Sequence, residues 1–137
     1  MEIKEFLAKE RRRAENLFAT KHKPGFISKT DFIYWFLDAF QSQNYSCYYC
    51  ETSIFDINTL IQLGKLKTRK TRYSLRGPIL EVDKKINSLG YSPANCVLAC
   101  YYCNNDKSYT LDAEEYKKYF GGNRGRYFKI LMNSRSI

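Results

Sequence analysis

With 137 residues the chain has the length of a single domain, which excludes separate catalytic and regulatory domains. Hydrophobic residues make up 44% and aromatic residues 16%, so composition excludes a chain too polar to form a core. The formal net charge of +9 predicts a polyanionic partner, nucleic acid before an anionic membrane, and disfavours an enzyme acting on a neutral substrate.

No apolar run approaches the roughly 18 to 20 residues that a membrane-spanning helix needs. The stretch from Met1 to Lys9 is charged and amphipathic and lacks the apolar core of a signal peptide. We therefore expect an intracellular, cytoplasmic protein with no membrane partner.

The N-terminal part, residues 1–45, is expected to be helical. Apolar residues recur at helical spacing from Ile3 to Phe18, with cations between them, which predicts an amphipathic first helix. Ser28 and Asp31 have the spacing of a capping box, and the segment that follows, to Phe40, is apolar on nearly every face. That second helix is therefore expected to be buried.

The middle of the chain begins with a short third helix, predicted from an N-cap at Asp56 to a stop at Gly64. A basic loop is expected next, because residues 65–76 contain six cations and no acid before Gly77-Pro78 ends any regular element. We predict that these cations bind nucleic-acid phosphates without regard to sequence. They are Lys65, Lys67, Arg69, Lys70, Arg72 and Arg76.

A hairpin and further helices are predicted for the rest of the chain. Residues 79–83 and 96–99 are expected to form two strands joined by a turn-rich loop, with the chain helical after Cys103. A last helix over residues 112–120 is expected to close at Gly121-Gly122, leaving a basic tail.

The strongest pattern is a short repeat, Cys47-Tyr48-Tyr49-Cys50 and Cys100-Tyr101-Tyr102-Cys103. A two-residue spacer lets one tight turn direct two thiolates at one ion, so two such knuckles complete a tetrahedral zinc site that also stabilises a small core. Two alternatives stay open, buried unpaired thiols and a thioredoxin-like redox pair, although the latter needs a larger parallel sheet.

Two further residues could extend a metal or catalytic site. Cys96 occupies a strand position where small hydrophobic residues pack, so we expect it in the core, with its neighbour Val97 facing the other way. The single histidine, His22, lies in a basic linker and is expected to be exposed, the alternative being a displaced catalytic base.

Residues 80–107 read LEVDKKINSLGYSPANCVLACYYCNNDK, and in layout this run resembles the HNH endonuclease family. The resemblance covers roughly residues 47–107. It implies an α+β fold in which a small ββα-metal unit, braced by zinc, lies within a mainly helical single domain with its C-terminal part at residues 108–137. It implies hydrolysis of phosphodiester bonds with a divalent ion, Mg²⁺ or Mn²⁺.

The family's residue roles carry over position by position. Asp83 matches the metal-binding residue at the end of the first strand, and Lys84 falls where the family usually has its histidine base. Asn95 matches the central asparagine, expected to hold the loop backbone, and Asn104 matches the second metal ligand. Lys107 matches the helix lysine, expected to reach a substrate phosphate.

Lys84 is the departure from the family, and it resembles a branch with Asp-Lys or Asp-Arg in place of Asp-His. A lysine with a pKa of ~10.4 is protonated at neutral pH, so it suits stabilisation of charge on the phosphate better than proton abstraction. The residue that activates water stays unidentified.

The sequence therefore predicts an HNH-type endonuclease acting on DNA. The resemblance also implies a role in bacterial or phage defence beside a larger protein partner. Two alternatives remain: a zinc-braced nucleic-acid-binding module that has lost its base, and an interaction subunit that docks another protein through exposed tyrosines and cations.

Overall fold

The computed structural model describes residues 2–20 and 25–134. It contains two helices, a turn with the first cysteine pair, a third helix, two small hairpins and a helical C-terminal part. The elements are α1 Ile3–Thr20, α2 Lys29–Ser42, α3 Ile54–Gln62, β1 Arg69–Lys70, β2 Leu75–Arg76, β3 Leu80–Lys84, β4 Cys96–Cys100, α4 Tyr101–Lys107, α5 Ala113–Tyr116 and α6 Gly122–Asn133. The fold is α+β, as the sequence predicts. Within the described ranges no helix is long and apolar enough to cross a membrane.

The N-terminal helices form as expected. α1 packs on α2, and the Ser28 side chain caps α2 by accepting a hydrogen bond from the backbone N–H of Asp31 at 3.1 Å. The aromatic rings of α2 line the core, where Phe32, Phe36 and Phe40 are fully buried. Burial of these rings is the main source of the stability of this half. His22 lies outside the described residues.

The central hairpin is antiparallel, with Asp83 opposite Val97 and Leu80 opposite Cys100. β4 is buried along its whole length, so both Cys96 and Val97 are shielded from solvent. α2 and α4 both pack on β4, and α4 also packs on β3. α4 therefore lies against both strands of the hairpin.

Three predicted boundaries are wrong. α3 begins at Ile54 with Ser53 as its N-cap, one turn before Asp56. The basic segment is partly a hairpin, β1 paired with β2, instead of a plain loop. α4 begins before Cys103, because the Cys100 sulfur accepts from the Cys103 N–H at 3.4 Å and so caps the helix.

The largest difference is at Gly121 and Gly122, where the sequence predicts the end of a helix. Instead the chain continues from α5 through a π-helical turn, Lys117–Gly121, into α6, so the expected basic tail is helical. A side-chain Cβ at Gly121 would lie 2.4 Å from the Tyr49 carbonyl oxygen. One at Gly125 would lie 2.5 Å from the Cys50 carbonyl oxygen. These glycines let the helix approach the first knuckle.

This close approach predicts opposite effects for two glycines of one helix. Gly125→Ala should destabilise the protein by about 1 to 3 kcal/mol, because its methyl group overlaps the Cys50 carbonyl. Gly122→Ala is the matched control, since no atom lies within 4 Å of its Cβ position, and it should stabilise by roughly 0.5 to 1 kcal/mol. Denaturant unfolding midpoints measure both. Equal shifts in the two variants would contradict the packing argument.

Candidate functional site

The four cysteines of the two knuckles form one buried cluster, with all four sulfurs within 4.8 Å of one another. Tetrahedral zinc with Zn–S bonds of ~2.3 Å requires sulfurs roughly 3.8 Å apart. The Cys50 and Cys100 sulfurs are 4.0 Å apart, and the backbone N–H of Tyr49 donates to the Cys47 sulfur at 3.3 Å. The donor set fits zinc, and Cys103 in the first turn of α4 completes it.

Cys96 lies outside this cluster, as expected. Its side chain is buried, and burial raises the pKa of the thiol to about 11. A thiol with that pKa stays protonated at neutral pH and is a poor ligand and a poor nucleophile. Cys96 is therefore a core residue.

Asp83 lies near the end of β3, and its carboxylate turns inward toward α4. The Tyr49 hydroxyl donates to its Oδ2 at 2.6 Å, and the Lys107 ammonium lies 3.3 Å from the same oxygen. Burial raises the pKa of the Asp83 carboxyl, and its two partners oppose that rise. Among the described residues no hydrogen bond reaches Oδ1, and the Asp83 side chain is 8% exposed.

Lys107 is fully buried, which corrects the expectation that it reaches a substrate phosphate. Its ammonium donates to the Lys84 carbonyl at 3.0 Å and to the Asn87 side-chain oxygen at 3.1 Å, besides pairing with Asp83. Lys107 lies on α4, as the resemblance implies, but its side chain packs against β3. Lys107 therefore ties α4 to the loop after β3.

The buried pair predicts a distinctive stability pattern. Asp83→Ala should destabilise the protein by about 3 to 5 kcal/mol, because it leaves the Lys107 ammonium buried without a counter-charge. Adding Lys107→Met should recover part of that loss, because it removes the unpaired charge. Denaturant unfolding of Asp83→Ala, Lys107→Met and the double variant tests this. Additive losses in the double variant would contradict the pairing.

A second cluster lies beside the first, between β3 and α4. Arg76 donates to both carboxylate oxygens of Glu81, at 2.6 and 2.9 Å, and the Asn104 amide nitrogen donates to Glu81 at 2.8 Å. Glu81 and Asp83 are two residues apart on a strand and so share its face. Glu81 therefore holds the Asn104 amide nitrogen against β3.

Asp83 and Asn104 provide one carboxylate and one amide oxygen, the ligand types that Mg²⁺ and Mn²⁺ prefer. Asp83 lies on β3 and Asn104 on α4, two elements that pack together, and within the described ranges the Asn104 Oδ1 accepts no hydrogen bond. These two ligand types suit a hard divalent ion, whereas the Lys107 ammonium beside Asp83 would oppose its binding.

The loop between the strands is organised by Asn95, as expected. Its side-chain oxygen accepts from the Ile86 N–H at 3.0 Å, and its nitrogen donates to the carbonyls of Ile86 and Gly90. Lys84 lies beside this loop, half-buried, with its ammonium 3.2 Å from the Asn87 carbonyl and over the Tyr91 ring. Asn95 thus holds the turn that carries Lys84.

The six cations of the basic segment divide into two groups. Lys65 donates to the Leu131 and Ser134 carbonyls at the end of α6, and Arg76 is paired with Glu81, so both have structural partners. The other four are exposed. They are Lys67, Arg69, Lys70 and Arg72.

Sequence reasoning missed three residues of the site: Tyr49, Glu81 and Asn87. Glu81 could have been identified from the sequence, because it lies two residues before Asp83 and strand alternation places both on one face. Tyr49 and Asn87 could not, since each reaches the site only through tertiary packing of the knuckle and the loop.

Searches against protein-family models and against curated proteins find no match. Among solved structures, the chain is similar to the rare-cutting HNH restriction endonuclease PacI, described as exhibiting an extraordinary mechanism of DNA perturbation. The two are 24% identical, the match covers 89% of this chain and 76% of that one, and the TM-score is 0.58. The chain has an HNH-like fold. At this identity the likeness establishes the fold alone.

Proposed function

We propose that this protein is a metal-dependent nuclease that hydrolyses phosphodiester bonds of DNA. The proposal rests on the HNH-like fold together with the four-cysteine cluster. Asp83 on β3 and Asn104 on α4, two elements that pack together, are the metal ligands that the resemblance implies. The similar structure is that of a restriction endonuclease, and the net charge of +9 favours a polyanionic substrate.

In this proposal Asp83 and Asn104 hold Mg²⁺ or Mn²⁺, which would polarise the scissile phosphate and stabilise the leaving oxygen. Lys84 stabilises negative charge on the phosphate, and Asn95 keeps the loop that carries Lys84 in place. The cysteine cluster holds zinc and has a structural role. Lys107 neutralises Asp83 and positions it without contacting substrate.

Cellular context rests on the resemblance alone. We propose a cytoplasmic protein of bacterial or phage defence that acts beside a larger protein partner. Within the described residues, four exposed cations of the basic segment provide the surface for DNA phosphates.

The test uses zinc-loaded protein with supercoiled plasmid and with single-stranded DNA. Nicking or linearisation of the plasmid is expected with Mg²⁺ or Mn²⁺ and not without them. Binding of DNA without cleavage, at any concentration of either ion, would contradict the nuclease. It would support the zinc-braced nucleic-acid-binding module. That alternative is favoured by the lysine at position 84 and by the Lys107–Asp83 pair.

A further inference from the structure

The hairpin of β1 and β2 forms a protruding basic ribbon, defined here as residues 67–76. Arg69 pairs with Arg76 and Lys70 with Leu75, and the turn is closed by a hydrogen bond from the Thr71 N–H to the Ser74 carbonyl at 2.8 Å. The ribbon contains no acidic residue. Its outer cations face solvent, so the surface is complementary to a polyanion.

The base of the basic ribbon is fixed beside the candidate site. Arg76 is clamped by Glu81, which also holds Asn104, and its guanidinium lies 4.7 Å from the centre of the Tyr101 ring. On the other strand, the Lys67 carbonyl accepts a hydrogen bond from the Tyr102 hydroxyl at 2.8 Å. Both ends of the ribbon are thus attached to α4 or β3, so its tip has a defined position relative to Asp83.

Tyr73 is at the tip of the basic ribbon and is 87% exposed, the highest value for an aromatic residue in the described part of the chain. The Arg72 guanidinium lies 5.3 Å from its ring. By contrast, the exposed Tyr34 on α2 has Asp31 one turn before it and Asp38 one turn after it on the same face. Tyr73 is therefore an aromatic ring presented among cations alone.

The dimensions suit a groove of duplex DNA. Arg76 and Tyr73 are three positions apart, a reach of at most about 10 Å at ~3.3 Å per residue of strand. The major groove is about 12 Å wide and about 8.5 Å deep and admits a two-stranded β-ribbon. The reach of the basic ribbon from its anchored base is therefore comparable with the depth of the groove.

We propose that the basic ribbon enters the major groove of double-stranded DNA beside the scissile phosphate and that Tyr73 stacks on a base at an opened base step. The choice of DNA as partner rests on the proposed function. Stacking on a base is tolerant of sequence, because every base has a π-face, so the ribbon locally opens the duplex without selecting one sequence.

The test is binding of zinc-loaded protein to a short duplex that carries 2-aminopurine, without Mg²⁺ or Mn²⁺, so that cleavage does not occur. Tyr73→Ala should weaken binding about tenfold, abolish the change in 2-aminopurine fluorescence and leave the salt dependence unchanged, because tyrosine releases no counterions. Tyr73→Trp should keep the affinity and show quenching of its own fluorescence on binding.

Two control variants separate stacking from charge. Tyr34→Ala should leave affinity and fluorescence unchanged, whereas Lys70→Ala should weaken binding and flatten the salt slope by roughly one. Unchanged affinity and fluorescence in Tyr73→Ala would overturn the stacking proposal while leaving the nuclease intact. Failure of the wild-type protein to bind DNA at low salt would overturn both proposals.

Discussion

Cys103→Ser is expected to unfold the protein and not merely to weaken one contact. The cysteine cluster joins the turn after α2 to the junction of β4 and α4, so its metal-binding energy is folding energy. Zinc in structural sites of zinc-finger peptides contributes about 10 to 16 kcal/mol in apparent binding energy, comparable with the whole stability of a small domain at about 5 to 15 kcal/mol. Elemental zinc analysis and circular dichroism melting measure the outcome.

Cys96→Ser is the matched control for this prediction, because Cys96 is an equally buried thiol outside the cluster. It should retain one zinc per chain and lose only about 1 to 3 kcal/mol, the cost of burying a hydroxyl in place of a thiol. Chelation of zinc from the wild-type protein should reproduce the effect of Cys103→Ser. A cooperative melt that is unaffected by chelator would show that the cluster is a set of packed thiols.

Asp83→Asn is expected to reduce divalent-ion-dependent cleavage by about 100-fold or more, because it removes the only carboxylate assigned to the ion. Asparagine keeps an oxygen that can accept from Tyr49 and Lys107, so the site retains its shape better than with alanine. Zinc content should be unchanged, since the cysteine cluster is intact. The rate of plasmid nicking at saturating Mg²⁺ measures the loss.

Asp38→Asn provides the control for a change of one charge. Asp38 is exposed on α2 and is not among the residues that contact Asp83. The nicking rate of Asp38→Asn should therefore match that of the wild-type protein. Equal rates in wild type and Asp83→Asn, both well above a mock preparation, would place the active centre elsewhere.

The parts of the fold that sequence predicted depend on local patterns. The capping spacing of Ser28 and Asp31, the apolar period of α1 and the two strands around the Asn95 loop all specify structure within a few residues. The cysteine pairs are a stronger case, because a metal site needs four ligands and the chain offers them as two knuckles.

The structural features that the sequence did not predict depend on contacts between distant segments of the chain. The pair Gly121-Gly122 has the composition of a helix end, yet Gly121 serves close packing against the Tyr49 carbonyl. Lys107 has the spacing of a phosphate-binding residue, yet tertiary packing buries it against Asp83. In both cases the residue type was informative, and its partner could not be known from neighbours in sequence.

The candidate site also combines features that the sequence predicted with contacts that it did not. Comparison with the family's pattern singles out Asp83, Lys84, Asn95 and Asn104, and the structure places Asp83 and Lys84 on β3, Asn95 just before β4 and Asn104 on α4. It also reveals that Glu81 orients Asn104 and that Tyr49 reaches Asp83 from the first knuckle. These contacts depend on how the knuckle and α4 pack on β3, which no short pattern in the chain specifies.

The central claim is that Asp83 binds a divalent ion between β3 and α4, and electron paramagnetic resonance of Mn²⁺ tests it without relying on activity. Zinc-loaded wild-type protein titrated with Mn²⁺ is expected to bind one ion, and Asp83→Asn is expected to lose that site while its zinc content stays the same. Equal binding of Mn²⁺ by the two proteins, or none by the wild-type protein at any concentration that supports cleavage, would contradict the account.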